Sequence, residues 1–306
     1  MGNKTSKTSK KSTPLPSTNT QEDSDFRYIE GRRYHNVENV KYPLPNDDEE
    51  LDRLHQQHFL FRYVWQRNFA APVKHILNQD GTKVLDVGCG AGSWIFEMAS
   101  NYPNTQFTGL DISPIQPSEI KPKNVNFVIS NVLNRLPFEN DTFDYIFQRL
   151  LFLALPKDRW PDVINELTRV LKPGGYLELM EINPIPLQMG PVSSQLFIAV
   201  EKMLQLRDLD PQIPYKLRSY FEQQGNLENI TEEKNRLPFG PETGKLGQAA
   251  VENARLGFVH LKTYLLEATK IISEEFDNNL DISAKELYEF GSYQDTYCVY
   301  ARKGNY

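Results

Sequence analysis

Apolar residues follow two rhythms along the chain. Short, dense runs of Val, Ile, Leu and Phe near 82–87, 106–110, 125–130, 143–148 and 175–181 read as strands buried on both faces. Between them, apolar positions recur every three or four residues, which predicts helices near 92–101, 114–119 and 159–171. Upstream, Asn46-Asp47-Asp48-Glu49-Glu50 reads as a cap with acids in a first helical turn, and Leu51, Leu54, His58, Phe61 and Trp65 then share one face. A helix from 46 to about 68 follows. Asn183-Pro184-Ile185-Pro186 breaks the chain after the fifth strand. Helices near 192–207 and 214–224 come next, the second stopped by Gly225, then a strand over 227–237. A long helical stretch at about 243–275, a shorter helix near 284–290 and a last strand from 294 to 303 complete the pattern. Strands alternating with helices predict an α/β fold around a mostly parallel sheet. The inserted helices, with the one at 46–68, are expected to form a lid over the substrate side.

Composition narrows the classes. The chain has 306 residues, 39% of them hydrophobic, enough to bury a real core. Two cysteines, Cys89 and Cys298, give no disulfide framework, so a reducing, cytoplasmic setting is expected, with the nucleus left open. No apolar run reaches the length of a spanning helix and no secretory signal is visible. Net charge is −6, but residues 1–21 hold four lysines and no acid, so the remainder carries −6 − 4 = −10. A body that acidic fits phosphate backbones poorly, and nucleic acid is a disfavoured partner. Residues 1–25 are rich in Ser, Thr, Lys and Pro and read as a disordered basic tail, 26–75 as an N-terminal cap segment, and 76–306 as the main domain. Met1-Gly2-Asn3-Lys4-Thr5-Ser6 fits an acylation pattern. Myristoylated Gly2 beside Lys4, Lys7, Lys10 and Lys11 would give peripheral membrane contact; the plainer reading is a solubilising tail.

The densest chemistry lies in Val84-Leu85-Asp86-Val87-Gly88-Cys89-Gly90-Ala91-Gly92: a strand, an acid and three alternate glycines before a helix. Glycine lets backbone approach a ligand closely and accepts positive φ. Gln106 to Asp111 reads as a second strand ending in an acid, 19 residues past Gly92, where a carboxylate can take ribose hydroxyls. The G-x-G-x-G spacing differs from the G-x-G-x-x-G of nicotinamide enzymes, which leaves an oxidoreductase as a minor alternative.

These residues resemble motif I of the class I S-adenosylmethionine-dependent methyltransferases. Gly109-Leu110-Asp111-Ile112-Ser113 resembles their second motif, Leu136 to Ile146 the approach to their fourth strand, and Leu167 to Gly175 the helix and turn before their fifth. Four motifs stand in order over residues 83–181. Upstream, Gly31-Arg32-Arg33-Tyr34-His35, Leu44-Pro45-Asn46-Asp47 and Arg53-Leu54-His55 resemble fungal methyltransferases of the secondary-metabolism-regulator type.

The resemblance implies a Rossmann-like fold with a seven-stranded, mostly parallel sheet, a C-terminal antiparallel hairpin and helical cap insertions, including one at about 243–290. It implies S-adenosylmethionine as cofactor, with Gly88, Cys89, Gly90 and Gly92 cradling it, Asp86 at its amino group and Asp111 at its ribose. Ile112, Asn131 and Val132 would flank the adenine, and Gln148 and Arg149 would approach the methionine end. Methyl transfer asks little of side chains beyond positioning. Should a base be needed, Glu181, His55, His58 and Tyr63 are the candidates, each more readily read as a packed or solvated residue. No metal is expected. The acceptor is a small molecule or a protein. A non-catalytic, cofactor-binding regulator or membrane-tethered adaptor is the alternative.

Overall fold

The computed structural model describes residues 26–37, 40, 42–117, 120–269 and 271–305. Five parallel strands form its centre: β3 (Lys83–Val87), β4 (Gln106–Asp111), β5 (Val125–Ile129), β6 (Phe143–Arg149) and β7 (Leu171–Ile182). β8 (Leu227–Pro238) and β9 (Tyr293–Lys303) add an antiparallel pair, giving one seven-stranded sheet in the order β5-β4-β3-β6-β7-β9-β8. A short hairpin of β1 (Phe26–Ile29) and β2 (Arg32–His35), not foreseen from the sequence, stands apart from that sheet. Its turn places Glu30 and Gly31 at φ +50° and +79°, as two-residue hairpin turns require.

Helix α1 (Asp48–Trp65) starts where the sequence places it, with the Asp47 carboxylate accepting from the Glu50 N–H, and ends three residues before the expected Asn68. The short α2 (Lys74–Leu77) leads into β3. Helix α3 (Ser93–Asn101) springs from Gly92 and packs Trp94, Ile95 and Met98 on the sheet, where Trp94 stacks on Phe147 with centroids 4.2 Å apart. α4 (Trp160–Val170) covers the other face with Trp160, Ile164 and Leu167. No helix forms over 114–117, where Pro114 and Pro117 remove donors and push their neighbours out of helical geometry; 118 and 119 lie outside the described residues.

Past β7 come α5 (Pro191–Leu206) and α6 (Ile213–Gln224); α7 (Lys245–Thr269) and α8 (Ser273–Glu289) separate β8 from β9. The stretch predicted as one helix over 243–275 is thus α7 plus the start of α8, and the helix expected near 284–290 is the end of α8. Phe276, Leu280, Ser283 and Leu287 are the buried face of α8, which packs back on α5 and α7 instead of running on. The Glu286 carboxylate accepts from the N–H groups of Val192 and Ser193 at 3.2 and 2.7 Å, satisfying the start of α5.

Candidate active site

The carboxyl ends of β3, β4 and β6 open into one cavity of ≈ 300 Å³. It lies where β4 and β5 build outward from one side of β3, and β6 and β7 from the other. Open α/β sheets leave a crevice at such a reversal.

The glycine loop forms one wall. The N–H groups of Gly88 and Cys89 donate to the Leu110 carbonyl at 2.8 and 3.1 Å, curling the loop against β4. Gly88, Gly90 and Gly92 hold φ of +67°, +53° and +86°, which disfavours any side chain. A Cβ on Gly88 would also sit 2.4 Å from Leu151 Cδ2, whereas around Gly90 the nearest atom, Leu54 Cδ1, is 3.9 Å off. The backbone at Gly90 therefore borders open space. The Asp111 carboxylate accepts from the N–H groups of Gly90 at 2.8 Å and Ser113 at 3.0 Å. Burial raises its pKa against those main-chain donors.

Asp86 is 4% exposed, and among the described residues no hydrogen-bond donor reaches its carboxylate. Burial pushes its pKa up to about 7, with Arg149 pulling it down and Asp111 pushing it further up. A buried acid and a half-buried one facing one cavity suit a cation. Arg149, at the end of β6, has its own pKa pulled down to about 10 by burial, against Asp86 and Glu97. Its guanidinium donates to His58 Nδ1 at 3.0 Å. A guanidinium only donates, so His58 Nδ1 accepts, and Nε2 carries the proton given to Glu97 at 2.9 Å. Burial, then Arg149, push the His58 pKa down to about 4; the imidazole stays neutral with both nitrogens engaged.

Of the residues singled out from the sequence, Asp86, Gly88, Cys89, Gly90, Asp111, Ile112, Asn131, Val132, His58 and Arg149 line the cavity. Gly92 sits behind it as the cap of α3, and Gln148 is fully buried with neither amide atom partnered among the described residues. His55 lies off the cavity with Nδ1 on Ser93 Oγ at 2.5 Å, and Tyr63 is 60% exposed on α1. Glu181 also lies off the cavity: its fully buried carboxylate accepts from the N–H groups of Leu151 and Phe152 at 2.8 and 3.4 Å, and burial pushes its pKa up to about 8 against those bonds. It anchors the 150–155 loop, on the side away from the cavity lining. Gly2 lies outside the described residues.

The sequence reading missed the far half of the cavity. Phe197 and Val200 of α5, Ala250, Ala254, Gly257, Phe258 and Leu261 of α7, and Leu237 and Phe239 at the end of β8 form an apolar chamber continuous with the polar end. The run Leu150-Leu151-Phe152-Leu153-Ala154-Leu155, directly after a strand that ends in Gln148-Arg149, was its one local signal. Asn46, 5% exposed, reaches Ser113 Oγ at 3.4 Å and joins the N-terminal segment to the Asp111 loop.

A family model described as a methyltransferase domain matches residues 84–175. The chain is 34% identical over 230 residues to methyltransferase pytC of Aspergillus terreus, a match spanning 70% of this chain and 66% of that protein. It is 31% identical over 174 residues to laeA of Emericella nidulans, named both protein-methionine methyltransferase and secondary metabolism regulator, across 54% of this chain and 43% of laeA. These matches span about two thirds or less of the relatives' length. Among solved structures, the Haemonchus contortus phosphoethanolamine N-methyltransferase 2, in complex with phosphomonomethylethanolamine and S-adenosylhomocysteine, aligns over 82% of this chain and 58% of its own. It does so at 17% identity and a TM-score of 0.48.

Proposed function

We propose that the chain is a class I S-adenosylmethionine-dependent methyltransferase that moves a methyl group from that donor onto an acceptor held in the apolar chamber. One observation carries the reading: a buried carboxylate without a hydrogen-bond donor, Asp86, faces the same cavity as Asp111 across a glycine loop whose backbone borders open space. The donor is a sulfonium bearing an ammonium group and a ribose diol. Asp86 would hold the ammonium, Asp111 would accept from the ribose hydroxyls, and Gly88 to Gly90 would lie along the chain between them. Ile112, Asn131 and Val132 would border the adenine, with the Asn131 carbonyl oxygen able to accept from its amine. Arg149 would face the donor's carboxylate.

When bound, S-adenosylmethionine supplies a methyl carbon: an acceptor lone pair bonds to it as the carbon–sulfur bond breaks, the electron pair goes to sulfur to leave neutral S-adenosylhomocysteine, and any acceptor proton passes to water. The protein's part is to align the acceptor and exclude water, which supplies most of the acceleration. The apolar chamber favours a working transferase over a binding-only adaptor, which would have no use for it.

Calorimetry of the full chain with S-adenosylmethionine should show saturable binding. Asp111→Ala should weaken it at least tenfold, about 2 kcal/mol, because the ribose partner is lost and two main-chain N–H groups are orphaned. A wild-type chain that takes up no donor ends this reading.

A further inference from the structure

The charged groups of the cavity are unevenly placed. Asp86, Asp111 and Arg149 stand at the donor end. The other lining cation, Arg53, is consumed by Glu50, at 2.8 and 2.7 Å, and by Asn253 at 3.2 Å. The chamber beyond is walled by Phe197, Val200, Leu237, Phe239, Phe258 and Leu261, none more than 8% exposed. A charged group moved there would leave water for hydrocarbon with no counter-ion. A polypeptide following its side chain inward would bring backbone N–H and C=O groups against walls that cannot pair them.

Gly257 adds an independent mark. It lies inside the 25-residue helix α7, where glycine weakens a helix relative to alanine. Its φ is not left-handed, and a Cβ built on it meets nothing within 4 Å. Neither backbone geometry nor packing asks for glycine; its absent side chain leaves room in the cavity that it lines. Gln294 lines the same cavity, with Nε2 fixed on the carbonyls of Asn183 and Pro184 at 3.1 and 3.0 Å. Its side-chain oxygen is the group it has left to offer, an acceptor for a hydroxyl or amine hydrogen.

We propose that the methyl acceptor is an uncharged, largely apolar small molecule taken whole into the chamber between α5 and α7, with Gly257 setting the size that fits. This rests on the donor-site reading above, and its test separates the two. The full chain, saturated with S-adenosylhomocysteine, is titrated with neutral 2-naphthol, anionic 2-naphthoate and cationic 2-naphthylmethylammonium, and is assayed with labelled donor on a short methionine-containing peptide. Naphthol should bind at least tenfold more tightly than either charged analogue, and the peptide should take up no label. Gly257→Phe should weaken naphthol at least tenfold while shifting donor affinity less than twofold. Gly257→Ala, which keeps the helix intact, should weaken it by a smaller, measurable factor. Equal or tighter binding of a charged analogue, label on the peptide, or unchanged naphthol affinity in both variants would overturn the proposal while leaving donor binding in place. A chain that binds no donor would overturn both readings.

Discussion

Asp86 is a carboxyl held where water and hydrogen-bond donors are scarce, and its pKa of about 7 is the consequence. At pH 6 most of it is neutral; at pH 8 most is ionised. A cationic donor pairs with the ionised form, so affinity should fall as pH drops through about 7. The expected loss is about tenfold between pH 8 and pH 6, since roughly nine tenths of the group then carries a proton that binding must expel. Calorimetry in two buffers of different ionisation enthalpy reads that proton directly. Asp86→Asn should bind weakly at every pH and release none; a wild-type affinity level across this range would assign the cation to another group. Arg149 enters the same balance, because its guanidinium opposes the Asp86 shift and adds to burial in keeping His58 neutral.

The 150–155 loop joins the two halves of the cavity, and the neighbouring strand β7 fixes it. The chain leaves β6 with Leu150 at φ +59°, a conformation that costs a non-glycine residue about 1–2 kcal/mol. Its N–H is held by the Met180 carbonyl at 2.9 Å, and the next two by Glu181. Glu181→Ala should therefore lower stability by about 2 kcal/mol in denaturant unfolding, from N–H groups left unpaired. A pH series adds a signature. The folded-state pKa of Glu181, about 8, lies above its unfolded value, so the protonated form stabilises the fold. That contribution is full below the ordinary carboxyl range and is lost as pH rises towards about 8. Glu181→Gln should lack this component, and parallel pH curves for the two proteins would contradict the assignment.

At the scale of the molecule, the two cap helices α1 and α7 meet through buried charge. Glu50 and Arg53 of α1 pair with each other and reach across to Asn253 and His260 of α7, all four at most 5% exposed. Removing one member of such a group leaves its partner charged and dry. Arg53→Ala should cost about 3–5 kcal/mol in equilibrium unfolding, far more than loss of an exposed ion pair such as Arg159–Asp162. Loss of less than 1 kcal/mol would mean that water reaches Glu50 and that α1 and α7 are joined by apolar packing alone.

Periodicity and glycine placement determined the alternation of strands and helices and the parallel centre of the sheet, and the family resemblance of the motifs added the closing antiparallel pair and the residues of the polar end of the cavity. These features depend on residues close in sequence: an apolar run, the acid that ends it and the turn that follows. The tertiary structure alone decided the rest. Whether Glu181 is a base or an anchor depends on Leu151 and Phe152, 30 and 29 residues away, and the chamber is assembled from α5, α7 and β8, whose sequences read as ordinary amphipathic elements. Gly257 looks like a flaw in a helix until the neighbouring space is seen to be empty. Local order follows from the chain's own repeat, whereas which buried faces touch, and where they leave a gap, is fixed only when distant elements compete for the same contacts.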